Sequence, residues 1–227
     1  MKPTKTKVSQ TDRFPRAQRR FRTRSTSKEL LLAGVSSSLV YVCTDVLGGV
    51  RWKDYSFKSQ SISELSAIGA PSSSLVLPCF IGYDLLQIAF ARGVWTRRSD
   101  LCVTAGLLGA VGVLGFAAPF ARMHVRGAKA SATDTMHIAL TSAMSLSIML
   151  AVAFGAKAGG SRFRIYSIGT VLTFLLFGTL TSTDGPRLAT QQPTPWMGVT
   201  ERITVYSYLL WVVALAVELD VVHPAVD

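Results

Sequence analysis

Six apolar runs follow one another from Glu29 almost to the C-terminus, at about 29–50, 72–94, 101–121, 135–156, 165–182 and 199–219. Each is close to the ~20 residues that a helix needs to cross ~30 Å of hydrocarbon. A helix of a soluble protein keeps one polar face, whereas these runs are apolar all round. Lipid supplies no partner for backbone N–H and C=O groups, so the runs are expected as helices, not strands. The fold class follows: an all-α, polytopic transmembrane bundle of six spans. The domain plan is a basic tail over 1–28, a membrane domain over 29–220 and a short tail over 221–227.

Composition sharpens this plan in one place. Ten of the 24 Lys and Arg residues fall at or before Lys28, against a single acid, Asp12. The tail has too few large apolar residues to bury a core, and it is expected to be disordered. Its charge suits a topology signal that also attracts anionic lipid headgroups. A mitochondrial transit peptide shares the Arg-rich, acid-poor composition. Nucleic-acid binding has the least support, and no specific nucleic-acid partner is expected. The first apolar run is longer than a signal-peptide core and lacks a small-x-small exit, so it reads as a retained span.

Loop charges set an orientation. With the N-terminus inside, sixteen Lys and Arg residues are cytoplasmic and eight are external. Both termini are therefore expected inside, in a bacterial cytoplasmic membrane. The tail supplies most of that bias; without it the count is six against eight.

Small residues mark two spans. Gly106, Gly109, Gly112 and Gly115 recur at three-residue steps in the third, which predicts close approach of another helix. The fourth is rich in Ala, Ser and Thr and is expected inside the bundle. Cys43, Cys79 and Cys102 each sit in an apolar run without paired spacing, as small apolar fillers.

Ionisable groups in spans are costly and so are candidates for function. Asp45, Asp134, His137, Glu201 and Arg202 share a predicted depth near the outer leaflet, with loop residues Asp54, Glu64, His124 and Asp184 on the same side. As a catalytic set, His137 with Asp45 or Glu201 forms a possible His–carboxylate site. As a ligand-binding set, Asp84, Asp134 and Arg202 are candidates, and Asp84, a dozen residues into span two, has the fewest structural excuses. Helix-end capping and interfacial anchoring compete with chemistry at each of the others. No two His residues share metal-ligand spacing, no G-x-S-x-G elbow occurs, and no cofactor is expected.

The loop "SQSISELSAIGAPSSS" carries a capping box, Ser61 with Glu64, ahead of Ile62, Leu65 and Ile68. Gly69 is placed to end this short helix, and Pro71 suits the entry to span two. The pattern predicts an interfacial helix lying on the outer surface, apolar side down. On this reading Glu64→Gln is mild, because the amide can still complete the box.

The stretch "DYSFKSQSISELSAIGAP" after span one resembles the bacterial and archaeal membrane proteins of domain of unknown function (DUF) 998, and so does "GVTERITVYSYLLW" at the start of span six. The resemblance covers about residues 29–220; Ser66 and Ala67 depart from the family's usual Leu-Gly-Ala wording. It implies a six-span bundle and no established activity. A weaker likeness links the same loop to the eukaryotic Frag–DRAM–Sfk type. Neither likeness carries catalytic residues onto this chain. Two functions stay open: a membrane protein that binds or handles a lipid or small amphiphile, with membrane lipids as its partners, and an intramembrane hydrolase or transferase. A transporter would want paired half-spans or inverted repeats, and neither is evident.

Overall fold

A computed structural model describes residues 13–129 and 131–221, with side chains over 28–129 and 131–220. Its helices are α1 (Arg13–Arg51), α2 (Ser73–Arg97), α3 (Cys102–Ala117), α4 (Ala132–Gly155), α5 (Ser161–Thr183), the short α6 (Gly185–Ala189) and α7 (Met197–Val221). Six of these stretches are long and apolar enough to cross a membrane, and they lie where the apolar runs predict them. This is an integral membrane bundle of six spans. The expected C-terminal tail lies outside the described residues apart from Val221, which ends α7. The expected disordered tail also falls partly outside them. From Arg13 the backbone is helical and continuous with the first span. Arg, Gln and Ala are good helix formers, and lengthening an existing helix adds a hydrogen bond per residue fixed without a new nucleus.

The spans form a ring in which each packs on its neighbours in sequence, α1 on α2, α2 on α3, α3 on α4, α4 on α5 and α5 on α7. The contact of α7 with α1 closes it. α7 fills much of the interior, with Tyr208, Trp211, Leu215 and Leu219 fully buried. Buried polar groups there have partners, as a low-dielectric interior demands. Gln87 donates to the Tyr208 hydroxyl and accepts from Ser37, and the Trp211 indole donates to Ser167.

The glycine stripe of α3 is used over only part of its length. A three-residue step falls about 60° short of a full turn, so the stripe drifts around the helix. A β-carbon on Gly112 would lie 2.8 Å from the Asp84 carbonyl, and one on Gly115 2.0 Å from Asp84 Oδ1. One on Gly106 would meet nothing within 4 Å. The expectation for the fourth span is corrected. Only Ala151, Val152 and Gly155 of α4 are buried, and Met136, Ile138, Leu146 and Phe154 face outward. Its hydroxyls need no helix neighbour, because Thr141 and Ser147 donate to the carbonyls of His137 and Ala143 in their own helix.

Candidate functional site

The loops 52–72, 121–131 and 184–196 meet at one end of the bundle and form a roof. Within the first, Ile62–Ser66 is a short 3-10 helix whose capping box is formed. Glu64 N–H donates to Ser61 Oγ at 3.3 Å, and Ser61 N–H to Glu64 Oε2 at 2.7 Å. Gly69 follows in the left-handed region, at φ +93°. The turn does not lie on the surface, however. Ile62, Glu64 and Leu65 are all buried. Ile68 N–H donates to the Met123 carbonyl, and Val125 N–H to the Ile68 carbonyl, which stitches the third-span exit over it.

Three ion-bearing contacts hold the roof down. Arg126 grips Glu64 with two bonds, Nε to Oε1 at 2.6 Å and Nη2 to Oε2 at 2.9 Å. It also donates to Thr194 and to the Ser59 carbonyl. The Glu64 hydrogen bonds raise the Arg126 pKa above its ordinary value. Glu64 is thus the buried anionic partner of exposed Arg126 as well as a cap, and the expectation that Glu64→Gln is mild is withdrawn. Second, the Glu201 carboxylate accepts the Ile62 N–H at the start of the same turn. Third, Arg202 binds fully buried Asp45 in a fork, Nε to Oδ2 at 2.9 Å and Nη2 to Oδ1 at 2.7 Å. Its remaining N–H groups reach the carbonyls of Phe57, Gln60 and Gly198 and the Tyr55 hydroxyl, and Tyr206 donates to Asp45 Oδ2 at 2.6 Å. Burial pushes the Tyr55 phenol pKa up, against the opposing pull of Arg202.

The residues singled out from sequence are therefore divided between places. Asp45, Arg202, Glu201 and Glu64 do meet at the roof, as fastenings with protein partners. Asp134 caps α4 together with Ser131 and pairs with His124, Oδ2 to Nδ1 at 2.8 Å. Asp184 sits beside Arg187 at 3.6 Å, and Asp54 is exposed. His137 bonds neither Asp45 nor Glu201; its Nδ1 donates to the Ala121 carbonyl at 3.0 Å. The ring order explains this, because α4 does not neighbour α1, which carries Asp45. Tyr55, Arg126, Thr194 and Tyr206 went unnoticed in the sequence. Only Tyr206 left a trace there, one helical turn after Arg202 and so on the same face.

His137 and Asp84 instead share a narrow cleft between α2, α3 and α4. It encloses about 40 Å³ and is lined by Leu77, Phe80, Ile81, Gly115 and Arg122 among others. Asp84 is 3% exposed, and no hydrogen bond or ion pair reaches its carboxylate among the described residues. Arg122 likewise has no partner among them. The fully buried carboxylates of the roof, Asp45 and Glu64, are paired; buried Asp84 and half-buried Arg122, on one cleft, are not.

A family model described as a protein of unknown function (DUF998) matches residues 35–218. The chain belongs to the DUF998 family. No curated protein and no solved structure matches it. The matched stretch of this DUF998 chain holds the roof fastenings and the Asp84 cleft together, and leaves out the basic tail. No group of three or more His, Cys, Asp or Glu residues suited to a metal ion occurs among the described residues.

Proposed function

We propose that this DUF998 protein binds a lipid or small amphiphile, non-enzymatically, at the outer leaflet of a bacterial cytoplasmic membrane. The observation that carries this reading is the Asp84–His137–Arg122 cleft. It has apolar walls, an interfacial mouth and unpaired polar groups, the mixture a headgroup with an attached chain requires. The ten Lys and Arg residues of the tail support placing the roof outside and both termini inside. In that orientation the basic tail lies against the anionic headgroups of the inner leaflet.

The hydrolase alternative loses its parts. The carboxylates meant to serve His137 are occupied, Asp45 by Arg202 and Tyr206 and Glu201 by a backbone amide. A general base must reach the proton it takes. Native mass spectrometry of the purified full chain tests the binding reading. Wild type is expected to retain a co-purifying amphiphile, and a variant with Leu77 and Ile81 both changed to Asp is expected to lose it. Wild type that carries no amphiphile, and binds none from added total membrane lipid, overturns the reading.

A further inference from the structure

The ionisable groups of the cleft have an order along the membrane normal. Asp84 faces Gly115, inside α3, whereas Arg122 lies beyond the end of α3 at Ala117 and the 118–120 turn. His137 is tied to Ala121 beside it. The cleft therefore has a carboxyl at its floor and a guanidinium at its mouth. α3 is shaped around the carboxylate, since any side chain at 115 would occupy the position of Asp84 Oδ1. An unpaired acid at this depth is expensive, and its neighbours do not repay that cost. Gln87, one turn further along α2, shows how the same helix satisfies a buried polar group when the protein itself supplies the partners.

Resting on the amphiphile reading above, we infer that the ligand is a zwitterion with a primary ammonium on the tail side of its anionic group. The ammonium sits on Asp84 at the floor, and the anion sits at Arg122 and His137. Hydrogen bonding selects the ammonium. The Asp84 carboxylate oxygens accept no bond from the described residues and take N–H donors. An –NH3+ group offers three; a trimethylammonium offers none. The hydrocarbon chain leaves sideways over half-buried Ile81, one turn from Asp84, toward lipid. An amphiphile whose amine lies outermost, beyond its phosphate, presents its charges in the wrong order.

Native mass spectrometry of the full chain in detergent can separate these cases with probes of equal chain length. The probes are a long-chain 2-amino-alcohol phosphate, the matching alkyl phosphate and a lysophospholipid with a terminal ethanolamine. Wild type should hold the 2-amino phosphate about tenfold better than the other two, a factor in keeping with one added charge-assisted hydrogen bond. Asp84→Asn, which keeps the side chain's shape, should abolish that preference and leave the alkyl phosphate bound as before. Arg122→Gln should weaken both phosphates and keep the preference. Equal retention of all three probes by wild type, or a preference that survives Asp84→Asn, overturns this inference and leaves amphiphile binding standing. Failure of wild type to hold any probe or any membrane lipid removes both.

Discussion

At the scale of single residues, Arg202 is the best-connected side chain of the roof. All five of its N–H groups have an acceptor, two of them on fully buried Asp45. Removing one member of such a pair leaves the other buried and uncompensated, at a typical cost of about 3–5 kcal/mol. Arg202→Gln and Asp45→Asn should therefore each lower the thermal midpoint in detergent strongly, and the double variant should lose less than the two losses added. Purely additive losses would argue against a coupled pair. Lys at 202 should not substitute, because it offers a point charge where a fork is bound. For Glu64→Gln the amide keeps the cap and loses the charge opposite Arg126. The expected loss is about 1.5–3 kcal/mol, the range for a hydrogen bond to a charged group. A midpoint unchanged from wild type would mean that capping is the whole of Glu64's role.

Elements join where side chains are missing. Gly198, in the first turn of α7, lies under the first loop, and a β-carbon there would come 2.3 Å from the Gln60 carbonyl and 2.4 Å from that of Phe57. Backbone cannot yield as a flexible side chain can. Gly198→Ala should lift the roof from α7 and open Gly198 N–H, now bonded to the Lys58 carbonyl, to hydrogen exchange. Within α3, two glycines of one stripe should respond differently. Gly115→Ala forces the Asp84 carboxylate to move and should cost about 1–3 kcal/mol, as overpacking does. Gly106→Ala meets open space and gains helix propensity, so it should be neutral or slightly stabilising. Thermal midpoints of the two variants in the same detergent provide the comparison; equal effects would mean that close packing of α2 on α3 is not what Gly115 serves.

For the whole molecule, the ring of six spans places every roof loop at one end, and the proposed orientation puts that end outside. In a background with Cys43, Cys79 and Cys102 replaced, Lys129→Cys should react with a membrane-impermeant maleimide in intact cells. Lys157→Cys, exposed at the opposite end, should react only after permeabilisation. The reverse pattern would invert the orientation and move the amphiphile site to the inner leaflet. The two ends also differ in construction. The roof is fastened by arginine forks onto fully buried carboxylates of distant segments, while at the other end Lys28–Asp220 and Arg98–Asp100 are surface pairs of little energetic consequence.

The number of spans, their limits and the capped turn at Ser61 could be read directly, because each is a local property of composition or of residues three or four apart. A helix in lipid needs only its own run of apolar residues, and a capping box needs only Ser61 and Glu64. The partners of the charges could not be read that way. Asp45 and Arg202 are 157 residues apart in sequence, Glu64 and Arg126 62 apart, and which of them meet depends on the order of helices around the ring. Depth alone grouped His137 with Asp45 and Glu201. Rotation of each helix about its axis and the placing of α4 away from α1 separated them, and set His137 beside Asp84. The sequence alone determined a six-span membrane bundle with a buried acid in its second span. Only the tertiary structure decided that this acid stays unpaired while the acids of the roof are bound, because pairing is a contact between helices and no single helix encodes it.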